Sequence, residues 1–148
     1  MTTNGQHIVR LEFTSAFEML DFVQVVSDHM ARDIGLDDDA LHWVGVAIRE
    51  SVINAIKQGN RNDAEKHVFI EFETGTKSDV PELMIRVRDE GEGFDPETVA
   101  NPLDPENLLK SSGRGIFLIR NFMDDVQLQR APQGGMEIRM VKRVQAQA

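Results

Sequence analysis

The sequence predicts a protein of the α+β class, because segments with the two-residue period of strands occur beside segments with helical spacing. Two pairs of predicted strands are joined by links rich in glycine and proline, which is typical of hairpins. The chain has 148 residues, of which 41% are hydrophobic, and this is enough for one core but not for two. We therefore expect a single domain over residues 1–148.

A strand and a helix are predicted at the start of the chain. Val9, Leu11 and Phe13 alternate with charged residues, as in a half-buried strand. The S-x-x-E spacing of residues 15–18 is typical of a capping box and predicts that a helix begins there and ends by Gly35. The expected inward face of this helix comprises Phe17, Leu20, Val23, Ser27 and Met30.

A second helix is predicted from Leu41 to Lys57, preceded by three aspartates, residues 37–39, that are N-cap candidates. Its expected core-facing stripe comprises Leu41, Val44, Ile48, Val52, Ala55 and Ile56. Glu50 and Asn54 lie four positions apart on a different face and are therefore neighbours. A solvated polar face is the ordinary interpretation of such a pair. Oxygen groups of this kind also suit Mg²⁺, so Asn54 could hold a metal and leave Glu50 free as a base.

Two hairpins and a third helix are predicted in the remainder of the chain. The first hairpin pairs alternating segments at residues 68–73 and 83–88 through a turn-rich link. The second pairs residues 126–130 with residues 136–141 across a Pro-Gln-Gly-Gly turn. A helical run that begins near Gly115 lies between the two hairpins.

Two glycine-bearing segments predict a nucleotide pocket. Asp89 follows a predicted strand, precedes Gly91 and Gly93, and could read a base. Gly113 and Gly115 open a helical run, which places free N–H groups and a positive helix end where a phosphate could sit. Each segment alone is a weak signal, because glycines in turns usually serve only to permit positive φ. The chain lacks the P-loop motif and the third glycine of the dinucleotide motif, so the site must be of another kind.

The segment between these two signals, from Asp95 to Ser112, is interrupted by three prolines and predicts a mobile lid. An ordinary surface loop is the alternative. Lys110, Arg114 and Arg120 cluster around the second signal, and of these Lys110 and Arg114 are the better candidates to offset phosphate charge.

Composition excludes several classes of protein. The formal charge of −9 argues against direct binding of nucleic acid, whose phosphates require a basic surface. No apolar stretch is long enough to span a bilayer, and the first residues do not form a secretory signal. Cysteine is absent, so disulfides and thiol chemistry are excluded. We expect a cytoplasmic protein without membrane contact.

Three segments, taken together, resemble the three ATP-binding boxes of the GHKL superfamily of gyrase, heat-shock chaperone and histidine-kinase ATPase domains. The segments are residues 50–55, 89–96 and 112–120. Within that superfamily, the short chain, the brief lid and residues 121–126 are most similar to the anti-sigma-factor serine/threonine kinases of bacterial partner-switching systems. The resemblance implies the Bergerat fold, a two-layer sandwich in which one mixed, mostly antiparallel sheet carries helices on one face.

The resemblance also implies roles for individual residues of an ATP site. Asp89 would accept from the adenine amino group, and Glu50 would take the proton from the attacking serine hydroxyl. Asn54 would coordinate Mg²⁺, and N–H groups near Ile116 would donate to phosphates. Met136 departs from the pattern, since many relatives have a threonine there, and it could pack on the base instead. The remaining nucleotide-binding candidates are Gly91, Gly93, Lys110, Gly113, Arg114 and Gly115.

The leading functional hypothesis is an anti-sigma factor and serine-protein kinase. It would transfer the γ-phosphoryl group of ATP to a serine of a STAS-type anti-anti-sigma protein, and it would sequester a sigma factor. The alternative is a non-catalytic, ATP-gated switch that exchanges protein partners. The resemblance implies a homodimer, for which the first helix and its sheet edge are the candidate surface.

Overall fold

Five strands form one sheet in the order β1-β2-β3-β5-β4, and every neighbouring pair is antiparallel in this computed structural model, which describes residues 6–92 and 111–145. In chain order the elements are β1 (Ile8–Thr14), a 3₁₀ turn (Phe17–Met19), α1 (Leu20–Ile34), α2 (Asp38–Asn54), a π-type turn (Ala55–Gly59), β2 (His67–Lys77), β3 (Val80–Arg88), α3 (Ser111–Phe122), β4 (Asp125–Arg130) and β5 (Met136–Arg143). The predicted α+β class is confirmed. The pairings within the described residues are all antiparallel, where a mixed sheet was expected.

The core lies between the helices and one face of the sheet. Strand β2 alternates buried and partly exposed residues and so gives one face to the core, whereas β3 buries Leu83, Met84 and Ile85 in succession. Both predicted hairpins are confirmed. Ser78 and Asp79 form the two-residue turn of the first with φ of 52° and 65°, the left-handed pair that fits the twist of the flanking strands.

The predicted capping box at the start of α1 is wrong. Ala16 occupies the N-cap position without a side-chain hydrogen bond, and the helix proper begins only at Leu20 after the 3₁₀ turn. The Ser15 hydroxyl instead donates to the Lys66 carbonyl at 2.9 Å, because a tertiary partner is available to it. Phe17, expected to point inward, is 44% exposed, whereas the other four predicted inward residues are buried. Gly35 ends the helix as predicted, with a φ of 99°.

Helix α2 matches its prediction at the start and changes character at the end. Asp37 caps it by accepting from the Ala40 N–H at 2.8 Å, and all six residues of the predicted stripe are buried. After Asn54 the backbone widens into the π-type turn, where the Asn60 N–H donates to the Ala55 carbonyl at 2.8 Å. Such turns often occur at functional sites. This one directs Gly59 towards the end of β3.

Helix α3 packs along α2. The Trp43 ring stacks on Phe122 with ring centroids 4.0 Å apart and 14° between the planes. Lys142 donates to the Phe122 carbonyl at 2.9 Å and so satisfies an acceptor at the helix end. The helix begins at Ser111, earlier than the predicted start near Gly115. Most of the predicted lid falls outside the described residues. Within the described ranges, none of the helices has the length and apolar character needed to cross a membrane.

Candidate functional site

Asp89 is a buried carboxylate directly after β3. It is 5% exposed, and its Oδ1 accepts from the Gly91 N–H at 2.8 Å and from the Met136 N–H at 3.1 Å. Its own N–H donates to the Met136 carbonyl at 3.0 Å. No residue in the described part of the chain donates to Oδ2. One oxygen therefore fixes the side chain, and the other remains as an acceptor for a ligand.

Burial raises the pKa of the Asp89 carboxyl above its ordinary value. The Gly91 and Met136 N–H groups oppose this rise, as do the charges of Arg88 and Lys66. A carboxylate kept in a poorly hydrated place costs free energy unless a donor pairs with it. Perturbed groups of this kind concentrate at functional sites, where the bound partner supplies that donor.

Backbone from three segments closes around this carboxylate. A Cβ added at Gly59 would overlap the Asp89 carboxylate, one at Gly91 would overlap the Gly59 carbonyl, and one at Gly135 would overlap the Asp89 carbonyl. Gly135 also has a φ of 82°, which a residue with a side chain rarely adopts. The result is a cradle of backbone around one carboxylate. The sequence pattern assigns Gly91 to the site but does not indicate Gly59 or Gly135, although Gly135 follows another glycine in a hairpin turn.

The second glycine segment lies against the polar face of α2. A Cβ on Gly115 would lie 2.9 Å from Asn54 Nδ2 and 3.2 Å from Glu50 Oε2. Glu50 and Asn54 are both partly exposed, and neither side chain forms a hydrogen bond with another residue of the described ranges. The fold therefore brings the Glu50 carboxylate and the Asn54 carboxamide against Gly115 of α3, which follows Asn54 by more than 60 positions in the sequence.

The donor set at this end fits a hard cation that shares its coordination with phosphates. Mg²⁺ takes oxygen ligands and usually keeps waters and substrate phosphates among them. Asn54 Oδ1 is such an oxygen, and the Glu50 carboxylate lies near it against the buried Gly115. Within residues 6–92 and 111–145, no cluster of three or more His, Cys, Asp or Glu could hold a metal by protein groups alone. A metal here would complete its coordination with water or with the oxygens of a bound phosphate.

The structure gives less detail for the other predicted site residues. Gly113 and Arg114 lie in the first turn of α3, and Ile116 lies beyond them in the same helix. Only the first N–H groups of a helix lack partners within it. In α3 these groups belong to residues near Ser111, so the N–H of Ile116 is not among them. Gly93 and Lys110 lie outside the described residues.

The two ends of the site are joined by one continuous stretch of chain. Glu50 and Asn54 occupy the last turns of α2, and Gly59, which touches the Asp89 carboxylate, ends the π-type turn that follows. The distance between the Asp89 carboxylate and the Glu50–Asn54 pair is thus set by a single helix and the turn that ends it. An elongated ligand with a hydrogen-bond donor at one end and negative charge at the other matches this arrangement.

Comparison with known proteins gives concordant matches. Residues 14–142 match the family described as histidine kinase-like ATPase domain. The chain is 33% identical over 138 residues to proteins named anti-sigma F factor from Bacillus subtilis (strain 168) and from Oceanobacillus iheyensis, with 90% of each chain covered. A protein of O. iheyensis named serine-protein kinase RsbW is 29% identical over 131 residues, which cover 84% of this chain and 79% of that protein. The family match includes every element that carries the site.

Proposed function

The chain belongs to the family of histidine kinase-like ATPase domains, as three segments of its sequence predicted, and we propose that it is an anti-sigma factor and an ATP-dependent serine-protein kinase. The observation that carries the proposal is the placement of Gly115 against Glu50 and Asn54. This placement gives the nucleotide fold a carboxylate positioned to act as a base. The acceptor is a serine of a STAS-type anti-anti-sigma protein, and a sigma factor is the second partner. The protein acts in the cytoplasm, where ATP is available.

Asp89 recognises adenine in this proposal. Its free Oδ2 accepts from the exocyclic amino group, while Oδ1 stays bound to the Gly91 and Met136 N–H groups. A base without that amino group leaves the buried acceptor unpaired, which is the physical origin of the selectivity. The buried Met136 side chain supplies a soft apolar contact for the ring.

Glu50 acts as the general base in the transfer step. The serine hydroxyl of the acceptor attacks the γ-phosphorus, a bond forms from the serine oxygen, and the bond to the bridging oxygen of the departing ADP breaks. Glu50 takes the hydroxyl proton, which makes a weak nucleophile reactive. Asn54 is the residue that would hold Mg²⁺ beside the phosphates, and the cation supplies neutralisation of phosphate charge when bound. The start of α3 adds N–H groups to the same end.

Phosphate transfer from radiolabelled ATP tests this proposal. The chain is incubated with γ-labelled ATP, Mg²⁺ and a purified STAS-type protein, and label is sought on a serine of the acceptor. Label on serine that depends on both proteins supports the kinase. Bound ATP without phosphoserine, measured in the same mixture, contradicts the kinase claim and leaves the ATP-gated switch as the function.

Substituting Gly115 by alanine is expected to weaken binding of Mg-ATP by about tenfold. The added methyl group would lie 2.9 Å from Asn54 Nδ2, so the carboxamide must move away from the position in which it faces the phosphates. Its neighbours are the ends of flexible side chains, so the fold remains. Calorimetric titration with and without Mg²⁺ measures the effect. Gly75→Ala is the matched control, because a Cβ there meets no atom within 4 Å. Equal affinities for both variants would contradict the assignment.

We propose that the chain forms a homodimer through α1 and the outer edge of β1. The β1 strand ends the sheet in the described part of the chain, and unpaired strand edges favour association. Phe22 and Val25 of α1 are 51% and 65% exposed, and Ile8 of β1 is 44% exposed.

Substituting Val25 by aspartate is expected to convert this dimer to a monomer, because the charge would be desolvated at the interface. Light scattering coupled to size-exclusion chromatography measures the mass. Gln127→Asp adds the same charge to an exposed position of β4, the opposite edge of the sheet, and should leave the dimer intact. A monomeric wild type, or a dimeric Val25→Asp variant, would refute this surface.

A further inference from the structure

Asn60 is a fully buried polar residue at the end of the π-type turn. It is 0% exposed, and every hydrogen-bonding group of its side chain is used except one lone pair. Its Nδ2 donates to Ser15 Oγ and to the His67 carbonyl, both at 2.9 Å, and its Oδ1 accepts from the Glu90 N–H at 2.8 Å. A buried polar group so completely paired fixes the position of whatever it bonds.

The Glu90 contact belongs to a closed ring of three hydrogen bonds. Glu90 donates its N–H to Asn60, Asn60 donates to the His67 carbonyl, and the His67 N–H donates to the Glu90 carboxylate at 2.6 Å. Glu90 is therefore held at both its backbone and its side chain. Because Glu90 directly follows Asp89, the ring fixes the chain immediately beyond the carboxylate.

Asn60 also positions the opposite side of the Asp89 carboxylate, through the preceding residue in the chain. Gly59 precedes it and contacts the Asp89 carboxylate, and the Gly59 carbonyl contacts Gly91. The Asn60 N–H bond to Ala55 sets the path of that glycine. One residue therefore determines the distance between Gly59 and the Asp89–Gly91 turn, which together form the base end of the site.

We infer that Asn60 is a positioning residue for recognition of the adenine base, acting through Asp89 without touching the nucleotide. This inference rests on the proposed binding of ATP. It differs from a purely structural role of Asn60 in tying β1 to β2, because a structural role predicts no preference among nucleotides. Loss of the Asn60 side chain removes the acceptor of the Glu90 N–H and leaves the His67 contact to hold Glu90. The backbone next to Asp89 then moves more freely, and the Asp89 carboxylate is held less firmly towards the amino group of the base.

The test compares two ligands that differ only in the group that Asp89 reads. ATP and purine riboside triphosphate, which lacks the exocyclic amino group, are titrated against wild type, Asn60→Ala, Ser15→Ala and Val23→Ala by calorimetry. The wild type is expected to prefer ATP by about tenfold or more, and Asn60→Ala is expected to lose most of that preference. Ser15→Ala removes one of the partners of Asn60 and should retain an intermediate preference. Val23→Ala, a core truncation in α1, should retain the full preference although it destabilises the fold.

An Asn60→Ala variant that binds both ligands more weakly by the same factor, as a merely destabilised protein would, overturns the inference. If that variant does not fold, an unchanged preference in Ser15→Ala overturns it equally. A wild type that binds neither triphosphate refutes the nucleotide site itself and this inference with it. Binding of both ligands with equal affinity by the wild type leaves the nucleotide site standing and refutes the role of Asp89 as base reader, and with it that of Asn60.

Discussion

The Asp89→Asn variant is expected to bind ATP at least about a hundredfold more weakly than the wild type. The asparagine oxygen can still accept from the Gly91 and Met136 N–H groups that now bond Oδ1. Its amide nitrogen would then occupy the place of Oδ2, so that a donor faces the amino group of adenine. Two donors that face each other form no hydrogen bond, and in a buried site neither is hydrated, so both groups lose the interactions that they have in water.

The same variant is expected to melt no lower than the wild type, which separates recognition from folding. Burial raises the pKa of Asp89 in the folded state above its ordinary value of 3.8, so the folded protein holds this proton more tightly than the unfolded chain does. The ionised carboxylate therefore reduces the free energy of unfolding at neutral pH. This cost declines as the pH falls through the raised pKa, and it is absent below the unfolded value. Asparagine carries no such cost, and its stability advantage should shrink in acid.

Calorimetric titration with ATP and thermal melts between acidic and neutral pH measure both effects. Asp79→Asn is the matched control, because Asp79 is exposed in the β2–β3 turn with a positive φ that asparagine tolerates. It should leave ATP affinity unchanged. An Asp89→Asn variant that binds ATP as the wild type does would show that Asp89 is not the base reader. A large loss of stability at neutral pH would show instead that its charge supports the fold.

The sequence predicted the elements of this site better than their junctions. Periodicity identifies α2 and places Glu50 beside Asn54, because both properties follow from helical spacing along one segment. Alternation likewise identifies the β3 strand that delivers Asp89. These features are local, and local patterns are what a single sequence carries.

The features that the sequence did not predict all depend on contacts between distant segments. The π-type turn after Asn54 has no recognisable residue signature. The need for glycine at position 59 is visible only in the fold, where β3 brings Asp89 against it. Ser15 has the spacing of a helix cap, yet its hydroxyl bonds Lys66 and Asn60 because the fold offers those partners. Helix α3 also begins at Ser111, four residues before the predicted start near Gly115.

Substituting Glu50 by glutamine is expected to reduce phosphoryl transfer by about 10²- to 10⁴-fold, the usual contribution of a general base. Glutamine has nearly the same shape but cannot accept the serine proton. Glutamine also keeps a side-chain oxygen close to Gly115, which lies against the Glu50 carboxylate. Affinity for Mg-ATP should therefore change by no more than about threefold, since the base acts on the acceptor hydroxyl rather than on the nucleotide.

Single-turnover transfer of labelled phosphate to the STAS-type protein, measured beside ATP affinity, separates the two quantities. Glu65→Gln changes the same functional group at an exposed position after the π-type turn and should transfer at the wild-type rate. Transfer by Glu50→Gln at the wild-type rate would remove Glu50 from the chemistry. The ATP-gated switch makes the opposite prediction throughout, because neither the wild type nor the variant would phosphorylate the acceptor, and both would exchange partners equally. Loss of transfer with retained ATP affinity is thus the result that only a kinase with Glu50 as its base can give.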